Sequence, residues 1–397
     1  MAVDIIPWLE LALRWLHVVT GIAWIGASFY FVWLDGNIRP AEGRPLVAGE
    51  LWAVHGGGFY HNQKYLVAPE QLPPHLHWFK YEAYFTWISG FLLLAVIYYV
   101  GANLYLIDTA KLALAPWQAI AISLAFLAGG WLVYDGLCRS RLGKDGMAFA
   151  IVWFVILTAT TYALVRIFSD RAAFLHVGAI IGTAMVANVF FIIIPNQKKV
   201  VAAMLAGQAP QAWLGQQAKQ RSLHNNYMTL PVILTMISNH FPMLFGNPIN
   251  WLVLAALSLS SLMIRHFFNL RHKGVLNWDL MVGAVALFIF IMFVASDAQQ
   301  RSEIKAAGPP VPFTTVRNLL DTHCIACHSA RPTHARISAP PAGLDFTRNA
   351  VVVSNAARIR MQAVASHTMP LGNETHMTDA QRAQLGAWIV QGAKLSP

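Results

Sequence analysis

The chain has 397 residues, of which 56% are apolar and only 12% charged, and its mean hydropathy is +0.49. These values lie outside the usual range of a soluble globular chain and predict that a lipid bilayer surrounds most of it. The net charge of +10 would also suit nucleic acid. No nucleic-acid motif accompanies that charge, so we interpret the excess of Lys and Arg as a topology signal.

Eight apolar runs are long enough to cross a bilayer, and they predict an all-α fold built on an eight-helix transmembrane bundle. The runs lie near residues 8–34, 83–100, 116–136, 147–168, 174–194, 226–245, 249–268 and 276–295. The first run is too long for the core of a signal peptide and has no positive residue ahead of it. We therefore expect this run to be retained as a membrane helix.

Lys and Arg residues are concentrated in the odd-numbered connections between these runs. By the positive-inside rule the odd connections are cytoplasmic, and both termini are then expected outside the cytoplasm. The first cytoplasmic connection, residues 35–79, is unusually long for a membrane bundle. Connections of that length are usually functional or disordered, and its aromatic and histidine content argues against disorder.

Two histidines in the first and fifth runs suggest an internal repeat. His17 and His176 are each flanked by Leu and Val and are followed by Ile, Phe and Asn at matching positions. The match predicts two parallel four-helix halves with the histidines at equivalent depths. Because ionisable residues inside membrane spans usually mark function, His17 and His176 are candidate axial ligands of a haem b between helices one and five. Coincidence, with each histidine bonded to a nearby carbonyl, is the alternative.

A set of polar side chains gathers at the helix ends predicted to be cytoplasmic. An aromatic ring, amides and a cation together suit a planar, anionic, nitrogen-rich heterocycle. His61 and His224 are the candidate catalytic bases, because imidazole titrates near neutral pH. The candidate substrate-binding residues are Phe59, Gln63, Lys64, Arg139, Asn225 and Arg271. Ordinary polarity at the lipid headgroups, with a structural metal, is the competing interpretation.

A stretch rich in Ala, Gly, Pro and charged residues, 298–311, is the predicted linker. It divides the chain into a membrane domain at 1–297 and a C-terminal domain at 312–397. The linker composition favours a semi-rigid spacer over a freely flexible one.

The segment Cys324-Ile-Ala-Cys327-His328 is the attachment motif of a c-type haem. Cys324 and Cys327 would form the thioethers, His328 would ligate the iron, and Met369 is the candidate sixth ligand. His334, His367, His376, Met361 and Met377 are its rivals. A disulfide or half of a zinc site is disfavoured because the chain has no second cysteine pair.

The C-terminal portion resembles the cytochrome c superfamily, which implies a class I-like cytochrome c domain after the bundle. Such haems are attached on the outer side of bacterial inner membranes. The motif therefore agrees with the predicted topology and indicates a multi-pass inner-membrane protein with a periplasmic haem domain.

Residues 14–30, the loop 55–60 and the haem motif closely resemble membrane-bound bacterial urate oxidases with a fused cytochrome c domain. The likeness spans the whole chain. It implies conversion of urate and water to 5-hydroxyisourate, with electrons leaving through haem c to a respiratory acceptor, either a cytochrome c or a terminal oxidase. Helix one alone is also similar to that of membrane proteins that oxidise protoporphyrinogen and bind haem b through an equivalent histidine.

Three alternatives stay open at this point. A quinol–cytochrome c oxidoreductase predicts haem reduction by quinol without urate. An electron conduit for a separate dehydrogenase predicts that changing His61 or His224 leaves turnover intact when that dehydrogenase is supplied. A purine transporter is disfavoured, because the repeat is parallel rather than inverted and intramembrane acids are almost absent.

Overall fold

The computed structural model describes residues 5–66, 69, 71–306, 309–335 and 337–395. The first part of the chain is formed by α1 (Ile5–Asn37), β1 (Val47–His55), β2 (Gly58–Tyr65), α2 (Tyr81–Leu94), α3 (Pro116–Arg139), α4 (Gly146–Ile167), α5 (Asp170–Ala187), α6 (Ile194–Leu205), α7 (Ala212–Ile237), α8 (Pro242–Phe245), α9 (Asn250–Arg271) and α10 (Trp278–Ala306). The C-terminal part is formed by α11 (Phe313–His323), α12 (Asn349–Ser354), α13 (Ala356–Ile359) and α14 (Asp379–Val390). Short π-helical and 3-10 segments extend or join several of these helices.

Seven of the described helices are long and apolar enough to cross a membrane, which is compatible with a membrane protein. They correspond to seven of the eight predicted runs. The run at 226–245 is the exception, because it covers only the second half of α7 and the short turns that follow. The first half of α7 carries Arg221, His224 and Asn225. α7 packs against α5 and α9, so its polar face lies inside the bundle.

α5 is the central helix of the bundle. It contacts α3, α4 and α7. In the span Asp170–Leu205, which begins with α5, 67% of the most apolar stretch is buried, whereas none of the corresponding stretch of α1 is buried. Small residues such as Ala172, Ala173 and Ala184 allow this close packing. α1 lies at the periphery and packs mainly on α2. The predicted equivalence of the first and fifth helices is therefore absent from the packing.

Gly178 in α5 marks the closest approach between α5 and α7. A Cβ there would overlap Oγ1 of Thr235 and lie 3.0 Å from its Cβ. We expect Gly178→Ala to lower the free energy of unfolding by about 1–3 kcal/mol through overpacking. Gly182→Ala is the matched control, because its Cβ would meet only Val232 at 4.0 Å. Thermal unfolding in detergent compares the two variants, and equal melting temperatures would contradict this packing.

The connection between α1 and α2 contains an antiparallel hairpin, in which β1 pairs with β2 from Val47 opposite Tyr65 to His55 opposite Gly58. The turn residues Gly56 and Gly57 have φ of +60° and +79°. Two positive φ values in a two-residue turn are the requirement of a type I′ hairpin. The all-α prediction is therefore wrong for this connection, which forms two strands. The consecutive glycines at its turn were the sequence signal for a hairpin.

The C-terminal part has its own apolar core. Val316, Leu320, Leu385 and Trp388 are almost fully buried in it, and the ring centroids of Phe313 and Trp388 lie 5.5 Å apart. Its first and last helices therefore pack on each other. The predicted linker is helical up to Ala306, because α10 continues through it, and residues 307 and 308 lie outside the described ranges.

Candidate functional site

A network of polar side chains lies between α3, α5 and α7, at the end of the bundle that carries the hairpin. The hydroxyl of Tyr134 lies 2.9 Å from Nδ1 of His224. The amide of Asn188 donates to Tyr134 at 2.9 Å and to Oδ1 of Asn225 at 2.8 Å. Arg221, which is 1% exposed, donates to Oδ1 of Asn188 at 3.2 Å. These mutual hydrogen bonds fix the three helices relative to one another.

Asp135 neutralises the buried guanidinium of this network. One carboxylate oxygen accepts from Nη2 of Arg221 at 2.7 Å, and the other accepts from Nε of Arg139 at 2.6 Å. Pairing of this kind is required when a charge is removed from solvent. Asn188 opens the π-helical segment Asn188–Ile193, and such segments occur frequently at functional sites.

A second buried cluster joins α7 to α9, and we call Asn226, Arg265 and Asn269 the amide–guanidinium triad. Oδ1 of Asn226 accepts from Nε of Arg265 at 3.0 Å and from Nδ2 of Asn269 at 2.9 Å. The three residues are 0%, 4% and 7% exposed. The guanidinium of Arg265 also lies 4.1 Å from the ring centroid of Phe29 in α1. Three helices therefore meet at the triad.

The triad holds three polar atoms without a protein partner. They are Nη2 of Arg265, Nδ2 of Asn226 and Oδ1 of Asn269. Leaving a buried donor or acceptor unpaired costs about 1–3 kcal/mol. The cluster therefore has unused hydrogen-bonding capacity, consisting of two donors and one acceptor.

A tyrosine–histidine pair lies beside the triad. The hydroxyl of Tyr227 is 2.6 Å from Nδ1 of His266. His266 lies three positions before Asn269, so the two share a face of α9. His224 lies two positions before Asn226, which places it on the opposite side of α7. Helical spacing therefore places His266, rather than His224, on the side of its helix that carries a triad residue.

The predicted base His61 lies on β2 of the hairpin. Its Nε2 is 2.9 Å from a carboxylate oxygen of Glu50, and its ring stacks on Trp52 with centroids 4.2 Å apart. The hydrogen bond with His61 lowers the pKa of Glu50, and Arg44 adds to the effect. These contacts hold the two strands together, and His61 makes no described contact with the triad.

The other predicted hairpin residues also make local contacts. Lys64 pairs with Asp35 at 2.7 Å, and Gln63 accepts from the hydroxyl of Tyr65 at 3.3 Å. Phe59 is 76% exposed. Among the described contacts, none joins these residues to the two buried clusters.

Of the remaining predicted residues, Asn225 belongs to the α3–α5–α7 network and Arg139 reaches it through Asp135. Arg271 is exposed at the end of α9. Two buried cations, Arg221 and Arg265, were not among the residues predicted from the sequence. Arg265 carried a usable signal, because a charge inside the apolar run 249–268 is costly and usually functional.

The arrangement of His17 and His176 does not fit a bis-histidine haem b. His17 packs against α2, with Nδ1 2.9 Å from the carbonyl oxygen of Thr86. His176 is 0% exposed, and its two ring nitrogens lie 2.7 Å from Ala172 O and from Ser123 Oγ. No ring nitrogen of His176 is left for iron, and the two histidines contact different helices.

A cavity of about 440 Å³ lies beside the Cys-x-x-Cys-His motif. Its lining includes Cys324, Cys327, His328 and Met369. Nδ1 of His328 is 3.2 Å from the carbonyl oxygen of Leu344, which orients the ring and leaves Nε2 for a ligand. Both cysteines are free thiols, as thioether formation requires. These residues fit a covalent haem c.

The lining of this cavity distinguishes between the candidate sixth ligands. His334 also lines it, but Nε2 of His334 pairs with Glu374 at 3.0 Å. The described lining does not contain His367, His376, Met361 or Met377. Burial raises the pKa of the Cys324 thiol to about 12, in keeping with an apolar interior. Of the sixth ligands predicted from the sequence, Met369 and His334 line the cavity, and His334 is paired with an acid.

Comparison with known proteins places the chain in a family. No curated protein and no solved structure matches it. The family described as urate oxidase N-terminal matches residues 3–296. This range includes the hairpin, the α3–α5–α7 network and the triad, and it ends before α11. Because the match covers most of the chain, the protein belongs to the urate oxidase N-terminal family.

Proposed function

We propose that the chain oxidises urate to 5-hydroxyisourate and that the amide–guanidinium triad binds the substrate. The observation that carries the proposal is the set of three unpartnered atoms, two donors and one acceptor. The imide edge of urate presents one N–H between two carbonyl oxygens, which is the complementary set. The cation of Arg265 also suits the urate anion. Family membership supports the same substrate class.

The proposed reaction needs a proton acceptor. Urate and water give 5-hydroxyisourate, two protons and two electrons. We assign proton acceptance to His266, because it shares a face of α9 with the triad and is hydrogen-bonded to Tyr227. Proton transfer within such a pair is ordinary general base chemistry. His61 and His224 stay predictions from the sequence.

The proposed reaction also needs an electron acceptor. We propose that Cys324 and Cys327 bind haem c covalently, with His328 and Met369 as axial ligands. When bound, this group supplies one-electron redox chemistry outside the apolar helices. We further propose that a respiratory cytochrome or oxidase receives the electrons and that the haem domain is periplasmic.

The substrate site is tested by Asn269→Asp, which replaces the amide whose Oδ1 lacks a protein partner by a carboxylate. We expect the KM for urate to rise at least about tenfold, corresponding to roughly 1.4 kcal/mol, because a like charge faces the urate anion. Asn277→Asp is the matched control. Oδ1 of Asn277 accepts from the backbone N–H of Asp279 at the start of α10, and Asp caps a helix equally well. Equal KM values in the two variants would contradict the site.

A further inference from the structure

We propose that the membrane part completes the wall of the haem c cavity and that Arg171 supplies a positive charge to the haem propionates there. The inference rests on the proposed haem c. Arg171, Asn239, Pro242 and Phe245 line the cavity together with the haem motif. They come from the start of α5 and from the segment between α7 and α9. The lining is therefore shared by both parts of the chain.

Two close approaches hold the C-terminal part in this position. Gly372 has φ of +57°, and a Cβ there would lie 2.7 Å from Cα of Leu104. A Cβ on Gly246 would lie 2.5 Å from Cα of Ser366. Distances under 3 Å to backbone atoms leave no room for a larger residue. Each approach lies next to a residue of the cavity lining, since Phe245 precedes Gly246 and Leu371 precedes Gly372.

Arg171 brings a positive charge without an acidic partner. Its Nε donates to Oδ1 of Asn239 at 3.3 Å, and its guanidinium lies 5.8 Å from the ring centroid of Tyr105. The neighbouring Asp170 is paired with Lys111 at 2.7 Å, and Glu374 on the lining is paired with His334. Among the described residues, Arg171 forms no ion pair. It is therefore available to the anionic propionates of a haem.

A positive charge beside the haem favours the reduced state, because reduction lowers the charge of the iron. Arg171→Gln should therefore shift the reduction potential to more negative values. At a fixed applied potential near the midpoint, the ratio of reduced to oxidised haem should fall several-fold. Arg171→Lys should retain most of the wild-type ratio. Arg166→Gln is the matched control, because Arg166 is exposed at the same end of the bundle and does not line this cavity.

The measurement is a spectroelectrochemical titration of the covalent haem in each variant. A wild-type potential in haem-loaded Arg171→Gln would overturn this inference alone. A wild-type protein without covalent haem would overturn the haem proposal and this inference together.

Gly372→Ala tests the shared wall without changing a charge. The added Cβ should displace the C-terminal part from the bundle and lower the ratio of reduced to oxidised haem, as in Arg171→Gln. Gly343→Ala is the control, because Gly343 has φ of +69° but nothing within 4 Å of its Cβ position. The strain of a positive φ is then common to both variants. Identical potentials in the two glycine variants would contradict the shared wall.

Discussion

Replacing Cys324 and Cys327 together by alanine is expected to abolish covalent haem and, with it, electron transfer from urate to any respiratory acceptor. Each of the two thioethers needs one of these thiols, and the proposed axial ligands His328 and Met369 form no covalent bond to the porphyrin. Haem held by axial ligands alone would be lost on denaturation. Haem staining of a denaturing gel should therefore show no signal at the size of this chain.

The membrane part should remain folded in this double variant, because its apolar core contains residues from α2 to α9 and none from α11 or later. Size-exclusion chromatography in detergent checks this point. Cys138→Ala is the matched control, since Cys138 lies in α3 and is also a free thiol. Full covalent haem in the double variant, or its loss in Cys138→Ala, would contradict the assignment of the motif.

Arg265→Gln should weaken urate oxidation by removing the cation of the triad. A hydrogen bond to a charged group contributes about 1.5–3 kcal/mol, which corresponds to roughly 10- to 150-fold in kcat/KM. Most of the change should be in KM, because the guanidinium binds the anion before and during the reaction. Steady-state assays with a soluble electron acceptor measure both constants.

Lys273→Gln is the matched control for Arg265→Gln. Lys273 is exposed just after α9, so the same positive charge is lost near the same end of the bundle. Arg265→Lys should recover part of the activity. It restores the positive charge, but its single nitrogen cannot replace the planar fork of N–H donors of the guanidinium. Arg265 also donates to Asn226, so thermal unfolding is measured in parallel. A similar fall in kcat/KM for Lys273→Gln would show that general electrostatics, and not the triad, carries the effect.

Much of the fold was predictable, because long apolar runs have few other solutions in a membrane. Seven runs match membrane-length helices. The predicted run 226–245 covers only the second half of α7, because the first half is polar and hydropathy does not distinguish a polar face inside a bundle from a loop. The hairpin was missed for a different reason. Its aromatic residues Trp52 and Phe59 are exposed. The strands therefore lack the alternation of apolar and polar residues by which a half-buried strand is usually recognised in a sequence.

The candidate site was predictable only in part. The sequence predicted a cluster of amides, histidines and cations near these helix ends, and amides, a histidine and a cation do lie together on α7 and α9. Their identities depend on which side of each helix faces a neighbour, and that is decided by packing. His224 and Asn226 are two positions apart and point to different helices. The sequences around His17 and His176 are also similar, but the two histidines have different surroundings in the fold. The reason is that α1 is peripheral and α5 is central.

Anaerobic addition of urate to the oxidised, detergent-purified protein tests the central claim most directly, with the haem absorption spectrum as the readout. We expect the c-type band to become reduced, with one urate supplying electrons to the haems of two chains, and we expect Arg265→Gln to slow the change. An unchanged spectrum with urate, followed by prompt reduction with a quinol, would contradict urate oxidation and favour a quinol–cytochrome c oxidoreductase.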